Sequence, residues 1–171
     1  VVPDADAACD LKLGKISYST GHEADWDADA VALTGYRSPR VTGGQITRGY
    51  GAGIVLTGTH GATVDGTTAT KLEDDTGGGQ YGYFIADRGA YTRVIGAQAH
   101  DVRHAYTTSK AASSWPPASA AVLLGLGRAF GAIVDGGAAS GGASTLWDTH
   151  ACAEDVTFLN CRATGGGGAG F

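Results

Sequence analysis

A triplet of one apolar residue, one variable residue and one small residue returns along this chain. It reads Val41-Thr42-Gly43, Val64-Asp65-Gly66, Val94-Ile95-Gly96, Val134-Asp135-Gly136 and Leu159-Asn160-Cys161. Measured between the apolar residues, the intervals are 23, 30, 40 and 25 residues. Two of them fit a unit of about 20 to 25 residues. The two longer ones each contain an evident lengthening, KLEDDTGGGQ at 71–80 and SKAASSWPPASAAVLLGLG at 109–127. A second apolar stretch falls within each unit: GIVLTG (53–58), YFIADRG (83–89), RHAYTTS (103–109) and TLWDTHA (145–151). These stretches are short, rich in Val, Ile, Thr and aromatics, and separated by turn sequences such as THG, DRG, GGAASGG and TGGGG. They predict strands of about four to six residues.

Two or three short strands per unit, with one triplet returning, describe the coil of a parallel β-solenoid. A single coil cannot bury its apolar face. Coils stacked about 4.8 Å apart pair their backbones and close a core. The inward Val, Ile and Leu then lie on one another, Gly permits the corners, and the insertions become loops beside the stack. A sandwich or jelly roll also has short strands and Gly turns, but it gives no reason for the recurring triplet. The expected fold class is therefore all-β, a right-handed parallel β-helix (solenoid) with loop insertions. Residues 31–171 make up the helix. Residues 1–30 are read as a leading coil or cap, with Leu11, Leu13, Ile16 and Tyr18 as apolar positions of LKLGKISYST and GHEADWDADA (21–30) as a loop.

Composition agrees with this picture. Gly accounts for 29 of 171 residues, well above the usual ~7%, while Pro is scarce and no collagen period is present. The net charge of −5 comes without a basic stripe, so neither nucleic acid nor an anionic membrane is an expected partner. The longest apolar run, 118–127, falls short of the ~20 residues that a spanning helix needs. Cys9, Cys152 and Cys161 fit no zinc spacing and read as free, buried thiols, although Cys152 and Cys161 fall where consecutive strands would lie. The acidic loop around His22, Glu23, Asp25, Asp27 and Asp29 lacks the Gly and distal Glu of an EF-hand. No metal or cofactor is expected. The chain opens VVPDADAACD and closes GGGGAGF, which reads as a segment continuing into a longer protein.

Taken together, Val102-Arg103-His104-Ala105, Asp148-Thr149-His150 and Val156-Thr157-Phe158-Leu159-Asn160-Cys161 resemble right-handed parallel β-helix domains of the pectate-lyase-like superfamily. Within it the chain is most similar to β-helix domains of bacteriophage tail proteins: tailspikes, tail fibres and minor tail proteins. The resemblance covers about residues 31–171. It implies a homotrimer in the virion, outside the cell, beside other tail proteins and in contact with a host cell-surface polysaccharide. It leaves open a tailspike depolymerase, or a secreted bacterial carbohydrate-active protein of the same fold.

Stacking of coils brings the second stretch of each unit side by side, so DVRHAYTTSK (101–110) and TLWDTHAC (145–152) are expected on neighbouring rungs. Two accounts of their polar residues follow. In the catalytic one, Asp148 and Asp87 form the carboxylate pair of a glycosidase, with Glu154 or Asp101 as substitutes. His150 then orients an aspartate, Arg103 and His104 bind substrate, and Trp115 on the long insertion stacks on a sugar ring. A lyase is less favoured, since no carboxylate cluster dense enough for Ca²⁺ is present. In the structural account, strand alternation decides. With Val102 inward, His104 is inward and Arg103 outward; with Leu146 inward, Asp148 and His150 are inward. His104 and Asp148 then form a buried hydrogen-bonded pair on adjacent rungs. Alternation favours the interior. Asp65, Asp135 and Asn160 are expected to share a turn column, and His60 and His100 to be solvated turn residues.

Overall fold

A computed structural model of the chain describes residues 9–17, 29–49, 52–72, 81–86, 89–108, 129–141, 145–149, 153–165 and 170–171. Over these residues the chain winds through eighteen short strands and no helix. The first turn holds β1 (Asp10–Lys12), β2 (Lys15–Ser17) and β3 (Val31–Thr34). The second holds β4 (Arg40–Thr42), β5 (Gln45–Gly49) and β6 (Ile54–Thr57), and the third β7 (Thr63–Asp65), β8 (Thr68–Leu72) and β9 (Tyr81–Ala86). The fourth holds β10 (Arg93–Ile95), β11 (Gln98–His100) and β12 (His104–Thr107). Two further rungs follow, β13 (Ala129–Phe130), β14 (Ile133–Asp135) and β15 (Ala138–Ser140), then β16 (Ala153–Glu154), β17 (Thr157–Leu159) and β18 (Arg162–Thr164).

Strands pair in parallel with their counterparts one turn away. The first sheet runs β1-β4-β7-β10-β14-β17, the second β2-β5-β8-β11-β15-β18 and the third β3-β6-β9-β12, while β13 and β16 pair at a corner. The chain is thus a parallel β-solenoid of about four turns. The leading segment belongs to it, since β1 and β2 pair with β4 and β5. Tyr18 and most of 21–30 lie outside the described residues, as do 73–80 and 109–128.

Register explains the recurring triplet. Leu11, Val41, Val64, Val94, Val134 and Phe158 stand in one column of the first sheet. The four valines are each at most 2% exposed. The following corner turns through the left-handed region at Gly43, Gly66, Gly96 and Gly136, with φ between 59° and 70°. An L side chain is strained there, which accounts for the glycines. The last coil departs from expectation by one residue. Phe158, not Leu159, pairs with Val134, so Leu159 aligns with Asp135 and Asn160 with Gly136. Asn160 takes the left-handed corner (φ 52°), a conformation Asn tolerates better than most residues. Asp65 and Asp135 therefore share their column with Ile95 and Leu159, and Asn160 belongs to the next one. Asn160 Nδ2 donates across to Asp135 Oδ1 at 2.9 Å.

The core changes shape along the axis. The inward column of the second sheet begins with Ile16 and Ile46 and shrinks to Ala69, Ala99, Ala139 and Ala163. In the third sheet, a column that begins with Val31 and Ile54 ends in Tyr106 and Trp147, which bridge each other on adjacent rungs. A cross-section fixed by backbone pairing keeps roughly constant volume, so a large residue on one wall requires a small one opposite. Gly137 shows the limit of this fit: a Cβ built there would lie 2.5 Å from Trp147 Cη2. Trp147 is held by its indole N–H, which donates to the Arg162 carbonyl oxygen at 3.2 Å.

Candidate functional site

The third sheet does bring DVRHAYTTSK beside TLWDTHAC. Backbone N–H groups of Ala105 and Tyr106 donate to the Leu146 carbonyl, and the Asp148 N–H donates to the Tyr106 carbonyl at 3.1 Å. Val102 is 1% exposed, Arg103 half-buried and His104 4% exposed. From there alternation stops, because Ala105, Tyr106, Thr107 and Thr108 are all buried. Parallel strands covered on both faces lose the two-residue period.

His104 projects toward the next rung. Its Nδ1 lies 2.7 Å from the carbonyl oxygen of Thr145. A carbonyl only accepts, so Nδ1 donates, and a neutral ring carrying its proton there keeps Nε2 as an acceptor. An Asp148 carboxylate oxygen stands 3.7 Å from the same Nδ1, with the two side chains 5% and 21% exposed. That separation exceeds a hydrogen bond but supports electrostatic attraction to a protonated ring. The expected direct hydrogen bond between His104 and Asp148 is thus replaced by one from His104 to the backbone. The expected inward alternation of Leu146 and Asp148 is also corrected. Leu146 and Trp147 are 1% and 2% exposed, so successive residues are both buried, and Asp148 sits at the margin of the core.

The remaining candidates divide. Asp87, Trp115, His150 and Cys152 lie outside the described residues. Glu154 is exposed and falls in the corner column Arg37, His60, Ala90, Phe130, Glu154 rather than beside Asp148. Asp101 is exposed at a left-handed corner (φ 53°), where its carboxylate covers Gly141. His100 is no turn residue. It ends β11, and its Nδ1 lies 2.7 Å from Ser140 Oγ on the neighbouring strand. Cys9 and Cys161 are free and half-buried, and burial pushes the Cys161 thiol above its ordinary value. Among the described residues no three His, Cys, Asp or Glu side chains group as metal ligands.

Two features were not singled out from the pattern of residues. One is an aromatic cluster near the last rungs, where Tyr106 and Trp147 meet Phe158 at ring distances of 5.6 and 6.2 Å, and Phe158 meets Phe171 at 6.2 Å. The other is an outward row of His60, Tyr91 and Phe130. Register reveals both, since their members lie between 11 and 70 residues apart along the chain.

No protein-family model matches the chain, and no solved structure matches it.

Proposed function

We propose that this solenoid is a structural and host-recognition part of a bacteriophage tail, assembled as a homotrimer in the virion and in contact with a glycan of the host surface. A fold of this kind serves many functions. The phage reading is supported by the likeness of Val102-Arg103-His104-Ala105 and Asp148-Thr149-His150 to tail β-helices. The observation that favours a scaffold role over catalysis is the donation of His104 to the Thr145 carbonyl from a buried position. That bond ties two rungs together and uses the polar motif for cohesion. Parallel pairing that runs through six strands in each of the first two sheets suits a shaft that must transmit load.

A second reading, a polysaccharide depolymerase, is favoured by one feature. The Asp148 side chain keeps 21% of its surface exposed beside the His104 imidazole, and a carboxylate near a histidine can serve as an acid–base centre. Host surface polysaccharide incubated with the full chain separates the two. The scaffold reading expects binding without release of oligosaccharides. Release that disappears in a folded Asp148→Asn variant would replace it with the depolymerase.

A further inference from the structure

Tyr91 occupies a backbone position that a tyrosine does not suit. It is the third member of a corner column whose other members are Ser38, Gly61, Gly131 and Asp155, all in the left-handed region. Gly serves that conformation without strain, and small polar residues tolerate it; a bulky aromatic at φ 56° is an outlier. Burial does not repay the strain, for Tyr91 is 53% exposed. Strain kept at an exposed aromatic points to a use for the ring.

The surroundings say what use. The ring rests against Gly131, where a Cβ would come within 2.9 Å of Tyr91 Cδ1. His60 and Phe130 flank it edge-on at 5.3 and 5.5 Å, with interplanar angles of 69° and 86°. Neither neighbour stacks on it face to face. The adjoining column places exposed Arg37 at one end and exposed Glu154 at the other, and exposed Arg93 follows two residues after Tyr91. The row thus runs along the solenoid axis over successive rungs about 4.8 Å apart. An aromatic ring with hydrogen-bonding groups before and after it suits a chain of sugars. The C–H face of a pyranose packs on the ring, and hydroxyl groups meet the guanidinium, imidazole and carboxylate.

We infer that Tyr91, flanked by His60 and Phe130, is the stacking platform of a glycan-binding site, with the sugar chain laid along the axis between Arg37 and Glu154. This rests on the glycan-contact reading above and assigns it to one corner of the solenoid. The test uses the full chain on an array of bacterial surface glycans, with Tyr91→Gly, Tyr91→Phe and Thr70→Ala proteins. Thr70 stands on the second sheet, away from this corner. Tyr91→Gly removes the ring and relieves the backbone, so it stays folded by circular dichroism and thermal melting. The expected result is retention of a glycan by the wild type, the Phe variant and the Thr70 variant, with at least tenfold weaker retention by Tyr91→Gly. Equal retention by Tyr91→Gly would overturn the site and leave the glycan reading standing. No glycan retained by any protein would overturn both.

Discussion

His104 Nδ1 stands 2.7 Å from the carbonyl oxygen of Thr145, a residue 41 positions further along the chain. The bond links the fourth turn to the next rung at the point where the third sheet passes from regular strands to a single bridge between Tyr106 and Trp147. Replacing His104 with Ala leaves a carbonyl short of a donor and opens a cavity in a site that is 4% exposed. The expected loss is about 2–3 kcal/mol. Urea unfolding checks it as a lower midpoint at unchanged slope. A midpoint equal to that of the wild type would show that the bond does not hold the rungs.

Gly137 and Trp147 set the tightest fit in the core. A Cβ at Gly137 would lie within 2.5 to 3.2 Å of three atoms of the indole ring. Trp147 is 2% exposed and tethered to the Arg162 carbonyl, so it has little room to yield. Gly137→Ala is expected to cost about 1–3 kcal/mol by overpacking. Tryptophan fluorescence of the folded variant should shift as the ring is displaced, and an unchanged spectrum with unchanged stability would refute the clash.

Gly96 separates backbone strain from packing. It has φ 59°, and nothing lies within 4 Å of the Cβ it would gain. Gly96→Ala is therefore destabilising through conformation alone, by about 1–2 kcal/mol. Asn160 holds the equivalent corner of the last coil, so Gly96→Asn should cost less than Gly96→Ala. Thermal melts of the two variants decide the order.

Tyr106 predicts a loss of stability in alkali. It is fully buried, its hydroxyl makes no hydrogen bond among the described residues, and burial pushes its pKa far above the ordinary 10.0. Below pH 10 the residue is protonated in both states and adds no pH dependence. Above it the unfolded chain releases a proton that the native state keeps, so stability falls by about 1.4 kcal/mol per pH unit from this group. Tyr106→Phe removes that slope. It also removes a buried hydroxyl that has no partner among the described residues, so at neutral pH it should be neutral or stabilising. Denaturant midpoints at pH 7 and above pH 10 test both parts.

Reading the site from residues alone succeeded where local rules apply. Val102, Arg103 and His104 follow alternation, and the structure buries the first and third. The same rule failed at Leu146 and Trp147, which are both interior. Trp147 enters the core because the opposite wall has shrunk to Ala99 and Ala139 and its corner to Gly137. That vacancy lies in distant coils. The second sheet was also hard to see, because an inward column of alanines carries little apolar signal.

Sequence alone determined that this chain is a solenoid, and where most of its coils fall. A valine that must face inward and a glycine that must turn through the left-handed region are constraints on one residue, so they recur visibly as Val41-Thr42-Gly43 and its successors. Tertiary structure alone decided the register of the last coil, where Phe158 rather than Leu159 faces inward, and the partner of His104. It also decided the row of His60, Tyr91 and Phe130. Each of these depends on which residues stacking places one rung away, and parallel pairing across loops of unequal length leaves no fixed spacing in the chain from which to read them.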